Sequence, residues 1–79
     1  MWFIYILLCE DGSLYTGYSD DPQRRFVEHK NGKGGHYTST YKPVKILYTE
    51  ELPTKSKALK REKQIKGWTR EKKIKILNL

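Results

Sequence analysis

The chain has 79 residues and is 37% hydrophobic, enough for one compact core of modest size and too few for a second domain. It carries 16 Lys and Arg against 9 Asp and Glu, a net charge of +7, and a single cysteine, which excludes an intramolecular disulfide framework and makes the reducing cytoplasm the default compartment. The apolar run over residues 1–9 falls far short of the ~20 residues that span a bilayer, has no basic start and meets Glu10 and Asp11 at once, so neither a membrane span nor a signal peptide is expected.

The charge is unevenly placed. Residues 1–29 hold Arg24 and Arg25 against five acids. The stretch 30–49 has lysines and no acid, and 54–79 sets eight lysines and two arginines against Glu62 and Glu71 alone. A basic surface of this kind points to a polyanion partner, nucleic acid before acidic membrane.

In chain order, residues 2–9 (WFIYILLC) read as a central strand and 13–18 (SLYTGY) as a second. Glu10-Asp11-Gly12 between them suits a three-residue hairpin loop, with Gly12 in the left-handed position. That loop length sets Cys9 opposite Ser13, Leu7 opposite Tyr15 and Tyr5 opposite Gly17, so Tyr5 and Tyr15 share a sheet face and Gly17 leaves room beside the Tyr5 ring. Cys9, in its apolar run, reads as a buried structural thiol. Asp20 or Asp21 caps a helix with Pro22 in its first turn, and Asn31-Gly32 stops it. Residues 32–42 form a glycine-rich loop, and 43–50 (PVKILYTE) a third strand. Thr54 caps a helix over 55–66 that Gly67 ends, and Thr69 caps a last helix to about Asn78. The order β-β-α-β-α-α predicts an α+β domain over residues 1–79, with helices flanking a small three-stranded antiparallel sheet.

Three groups of residues stand out chemically. At ~100° per residue, Ala58, Leu59 and Ile65 form the apolar arc of the 55–66 helix, and Glu62 falls inside that arc. A carboxylate there needs a cation: a metal ion, or Lys66 one turn on. Arg25 and His29 lie four apart on the first helix, beside Phe26, at the expected margin between core and solvent. They are suited to holding a phosphate and moving a proton. Tyr5 and Tyr15 are either core aromatics or an active-site pair, since a tyrosine can serve as a base if cations lower its pKa from ~10. There is no Walker loop and no Cys/His zinc spacing. In the basic segments Lys33, His36, Tyr37, Lys60, Lys63 and Lys66 are candidate nucleic-acid contacts. Trp2 and Trp68 are expected to anchor the core rather than to serve as base-stacking platforms.

Phe3-Ile4-Tyr5, then Tyr15-Thr16-Gly17, then Arg25 and His29 in QRRFVEH, then Glu62, resemble the GIY-YIG nuclease signature in order and approximate spacing. The stretches LYTGYSDDPQRRFVEH, GKGGHYTSTYKPVKILY and ALKREKQIKGWTREKK look like the small single-domain bacterial members, so the resemblance spans essentially the whole chain. Phe3 stands where the family has its first glycine, and Thr16 where it has its second isoleucine.

The resemblance implies a metal-dependent endonuclease that hydrolyses phosphodiester bonds, DNA before RNA, in a repair or recombination setting. A larger repair or processing complex is a candidate partner, to which a protein-interaction subunit would deliver its basic face. Glu62 would be the protein ligand of one Mg²⁺ or Mn²⁺ ion. Arg25 would neutralise charge on the phosphoryl oxygens, and Tyr5, Tyr15 and His29 are the candidates for activating water. A non-catalytic nucleic-acid-binding module on the same scaffold is the alternative.

Overall fold

The structure, a computed structural model, describes residues 1–33 and 42–79. Residues 34–41, which include His36, Tyr37 and most of the expected glycine-rich loop, lie outside the described residues.

Strand β1 (Trp2–Cys9) is the centre of a three-stranded antiparallel sheet of order β2-β1-β3, between β2 (Leu14–Ser19) and β3 (Pro43–Leu52). The hairpin forms with the expected register. Cys9 N–H bonds Ser13 O at 2.9 Å, Gly12 takes φ +85°, and Tyr5 pairs with Gly17 and Leu7 with Tyr15. Strand β3 runs two residues past the expected end, and its pairing with β1 skips Leu47 and Val44, irregularities that twist this edge.

Side-chain alternation along β1 gives the sheet two buried faces. Helix α2 (Lys55–Lys66) covers the first face, where Ile4, Ile6 and Ile65 are fully buried and Leu14, Tyr48, Leu52, Trp68 and Leu77 pack around them. Helix α1 (Pro22–Lys30) covers the second face, where Tyr5, Leu7, Cys9 and His29 are buried. The α+β architecture expected from the element order is the one observed. Both tryptophans are partly buried; Trp68 packs against the core as expected, whereas Trp2, at the outer end of β1, lies outside the core cluster.

Local capping chemistry explains where the helices start. The Asp21 carboxylate accepts from Arg24 N–H at 3.1 Å with Pro22 at the first helical position, and Ser19 Oγ accepts from Asp21 N–H at 3.0 Å. Asp20, the other candidate cap, instead pairs with Arg24 at 2.8 Å. Thr54 and Thr69 cap α2 and α3 (Arg70–Leu77) by accepting from Lys57 N–H and Lys72 N–H. Arg70 Nε donates to Gly12 O at 3.2 Å, which ties α3 back to the hairpin turn.

Two adjacent positions on β2 have opposite steric characters. A Cβ built on Gly17 would lie 2.5 Å from Tyr5 Oη and 2.6 Å from its Cζ, so the tyrosine ring occupies the place of a side chain on β2. Thr16 faces the other side, 2% exposed, and its Oγ1 has no hydrogen-bond partner among the described residues. Gly17→Ala is therefore expected to lower the urea-unfolding free energy by ~1–3 kcal/mol through overpacking. Thr16→Val, which removes the unpaired hydroxyl and keeps the shape, is expected to raise it.

Candidate active site

Because Gly17 has no side chain, the Tyr5 ring lies over β2, the edge strand, with its hydroxyl where a side chain at Gly17 would be. There it meets residues from both faces, and together they line a cavity of about 330 Å³, near the lower end of ligand-pocket sizes (~300–1,000 Å³). Tyr5, Tyr15, Arg25 and Glu28 reach it from the α1 side. Trp2, Tyr18 and Glu62 reach it from the α2 side.

Four of the five expected catalytic residues, Tyr5, Tyr15, Arg25 and Glu62, line this cavity. The fifth, His29, lies directly behind it. It was expected at the solvent margin of α1, but it is fully buried, because Tyr5 and Tyr15 close over it. Tyr5 Oη and His29 Nε2 are 2.9 Å apart, and the His29 ring stands edge-on to Tyr15 with centroids 5.0 Å apart.

Burial sets the protonation states. His29 is pushed down to about 4, first by burial and then by the Arg25 charge. Burial also pushes the Tyr5 phenol up, with Tyr15 adding to it. The Arg25 cation pulls the other way without overcoming it. Tyr15 is raised for the same first reason. The condition set for a tyrosine base, a pKa lowered by cations, is therefore not met: one guanidinium does not offset burial. At neutral pH the cluster holds two neutral phenols and a neutral imidazole. Arg25 remains cationic, since Glu28 (3.2 Å) and Tyr5 outweigh the opposing effect of its partial burial.

Glu62 sits as expected on the apolar arc of α2, 9% exposed, with fully buried Ala58 and Ile65 on the same face. Its partner Lys66 approaches to 3.7 Å, an ion-pair distance beyond hydrogen-bond reach, and also lies 5.7 Å over the Tyr15 ring. The carboxylate thus faces the cavity with coordination capacity to spare. Among the described residues no three His, Cys, Asp or Glu side chains converge as a metal cage. The donor set fits a hard divalent ion bound through one carboxylate, water and substrate phosphate, and it does not fit a closed all-protein site.

Of the expected nucleic-acid contacts, Lys66 stands beside the cavity, and Lys33, Lys60 and Lys63 are exposed away from its lining. Trp2, Tyr18 and Glu28 are among the lining residues that the sequence did not single out as site residues. Trp2, expected in the core, lies at the end of β1 and forms part of the cavity wall. Glu28 shares a helix face with Arg25 three residues earlier, and that spacing was the available signal. Tyr18 follows Gly17 at the strand edge.

The GIY-YIG catalytic domain model matches residues 1–75. The chain belongs to the GIY-YIG family. Families of this domain are generally nucleases, which typically use a divalent metal. A UPF0213 protein of Staphylococcus saprophyticus is 50% identical over 76 residues, covering 96% of this chain and 93% of that one. The solution NMR structure of a UPF0213 protein from Bacillus halodurans matches with TM-score 0.62 at 39% identity, over 99% of this chain and 84% of that one. That of a protein from E. faecalis matches with TM-score 0.65 at 39% identity, over 96% and 81%. Among the described residues no helix of this GIY-YIG protein is long and apolar enough to cross a membrane.

The low pKa of His29 makes a stability prediction. The unfolded chain protonates a histidine near ~6.5 and the folded protein only near 4, so stability is complete above the first value and falls as pH drops toward the second. At ~1.4 kcal/mol per pKa unit the loss approaches about 3 kcal/mol. Urea-unfolding midpoints of wild type are expected to fall steeply over this window, and those of His29→Gln much less.

Proposed function

We propose that this protein is a divalent-metal-dependent endonuclease that hydrolyses phosphodiester bonds of nucleic acid, with DNA the first substrate to test. The observation that carries the reading is the convergence at one sheet edge of a buried carboxylate, a guanidinium and a tyrosine hydrogen-bonded to a buried neutral histidine. The family supports it, and so does the +7 charge, which suits a phosphate backbone. A place in repair or recombination, within a larger complex, is the setting we favour.

In this reading Glu62 holds the metal, and Lys66 moves off the carboxylate to the nucleic-acid backbone. The bound ion supplies Lewis-acid stabilisation of a phosphoryl oxygen and of the leaving 3′ oxygen. Arg25 turns from Glu28 to a non-bridging oxygen and stabilises the charge growing there. Tyr15 orients the phosphate. The attacking water gives a proton to Tyr5 Oη as Tyr5 passes its own to His29 Nε2, so no free tyrosinate is needed and the raised phenol pKa is no obstacle. The incoming phosphate offsets the Arg25 charge, one of the two causes that push His29 down, so the imidazole gains proton affinity when substrate is present. Lys33, Lys60 and Lys63 would contact the backbone further out, and His36 and Tyr37 are further candidate contacts.

The test is cleavage of labelled single-stranded, duplex, flap and branched DNA and of RNA, in Mg²⁺ or Mn²⁺ against EDTA. Cutting is expected to need metal and to fall by ~10²-fold or more in Arg25→Ala, and to vanish in Glu62→Ala. Binding should persist in both variants and weaken steeply with salt. Variants that cut like wild type would contradict the assignment. Binding in EDTA with no cutting of any substrate would favour the non-catalytic module.

A further inference from the structure

Trp2 and Tyr18 line the same cavity as Arg25 and Glu62, yet the hydrolysis uses neither. Both side chains leave the Ile4 face of the sheet, and because Ile4 pairs with Tyr18, Trp2 lies diagonal to Tyr18 across the two strands. Their ring centroids are 6.2 Å apart with a tilt of 41°. Tyr18 rests against the hydrophobic core, which fixes its position, whereas Trp2 lies outside that cluster. Exposed Lys55, the first residue of α2, holds its ammonium 5.4 Å from the centre of the Trp2 ring. The cavity wall thus carries the Trp2–Tyr18 aromatic pair, with a cation over the Trp2 ring, as well as a guanidinium and a carboxylate. These two kinds of group match the two parts of a nucleotide, a flat base and its phosphate.

Building on the nuclease reading, we infer that Trp2, with Tyr18 beside it, is a stacking shelf for one unpaired nucleobase next to the phosphate at Arg25 and Glu62. When the base arrives, Lys55 gives up the ring face and turns to a backbone phosphate. Base–aromatic stacking is stronger than a surface cation–π contact, so the exchange runs toward the base. A base within an intact duplex has both faces covered by its neighbours and must first be unstacked and unpaired. The shelf therefore selects strands whose bases are already exposed, such as single strands, flaps or splayed ends, over continuous duplex.

Fluorescence anisotropy in EDTA separates this inference from the cleavage reaction. A labelled oligothymidylate is compared with an abasic oligomer of the same length and charge. Wild type is expected to bind the base-bearing strand at least ~10-fold tighter. Trp2→Ala should bind both strands with the abasic affinity, and Trp2→Phe should retain part of the preference. In Trp68→Phe, where Trp2 is the one remaining tryptophan, oligothymidylate should quench the emission and the abasic oligomer should not. Equal affinity for both strands in wild type, or a preference that survives Trp2→Ala, overturns the shelf and leaves the nuclease reading to its cleavage test. Binding of neither strand overturns both.

Discussion

The candidate site depends on the 2.9 Å contact between Tyr5 Oη and His29 Nε2, made possible by the missing side chain at Gly17. β1 is the central strand, and the Tyr5 ring can lie over the edge strand β2 only where that strand leaves room. Gly17, directly opposite Tyr5, leaves it. The histidine takes the hydroxyl from the α1 side and fixes where it ends. With Tyr5 in place, Tyr15 closes over the imidazole, His29 is dry, and the residues of α1 and α2 meet around the edge of β2. A backbone hydrogen-bond register, set by the three-residue hairpin turn, is thereby converted into the geometry of the candidate site.

The charged residues of the site are held less firmly. Arg25 is paired with Glu28 one turn on, and Glu62 with Lys66 at 3.7 Å. Pairs of this kind on a helix contribute only ~0.2–0.5 kcal/mol each, far less than a phosphate or a metal ion gains by displacing them. The neutral parts of the candidate site are thus fixed by packing, and the charged parts are kept in reach by weak ion-pair partners, Glu62 with only 9% of its surface exposed. The exchange of partners also leaves the fold intact, because neither ion pair joins two secondary-structure elements.

Much of this was readable in the sequence, and for identifiable reasons. Gly12 and the loop length determine the hairpin register, and the register alone places both tyrosines on one face. Helical spacing placed Glu62 among Ala58 and Ile65, where it is found. The burial of His29 was not readable, because periodicity assigns a helix face without saying how far the facing strand's side chains extend over it. The raised tyrosines followed from the same closure. Trp2 misled because a large aromatic in an apolar strand reads as core. At the end of β1, outside the core cluster, it forms part of the cavity wall instead.

The central claim is that Tyr5 and His29 work as one proton-moving unit, and a double-mutant cycle on the cleavage rate tests it most directly. Tyr5→Phe and His29→Gln should each slow single-turnover cleavage, and the double variant should be about as slow as the slower single one, since either change already interrupts the same transfer. If the two losses multiply, the residues act independently and the relay is contradicted.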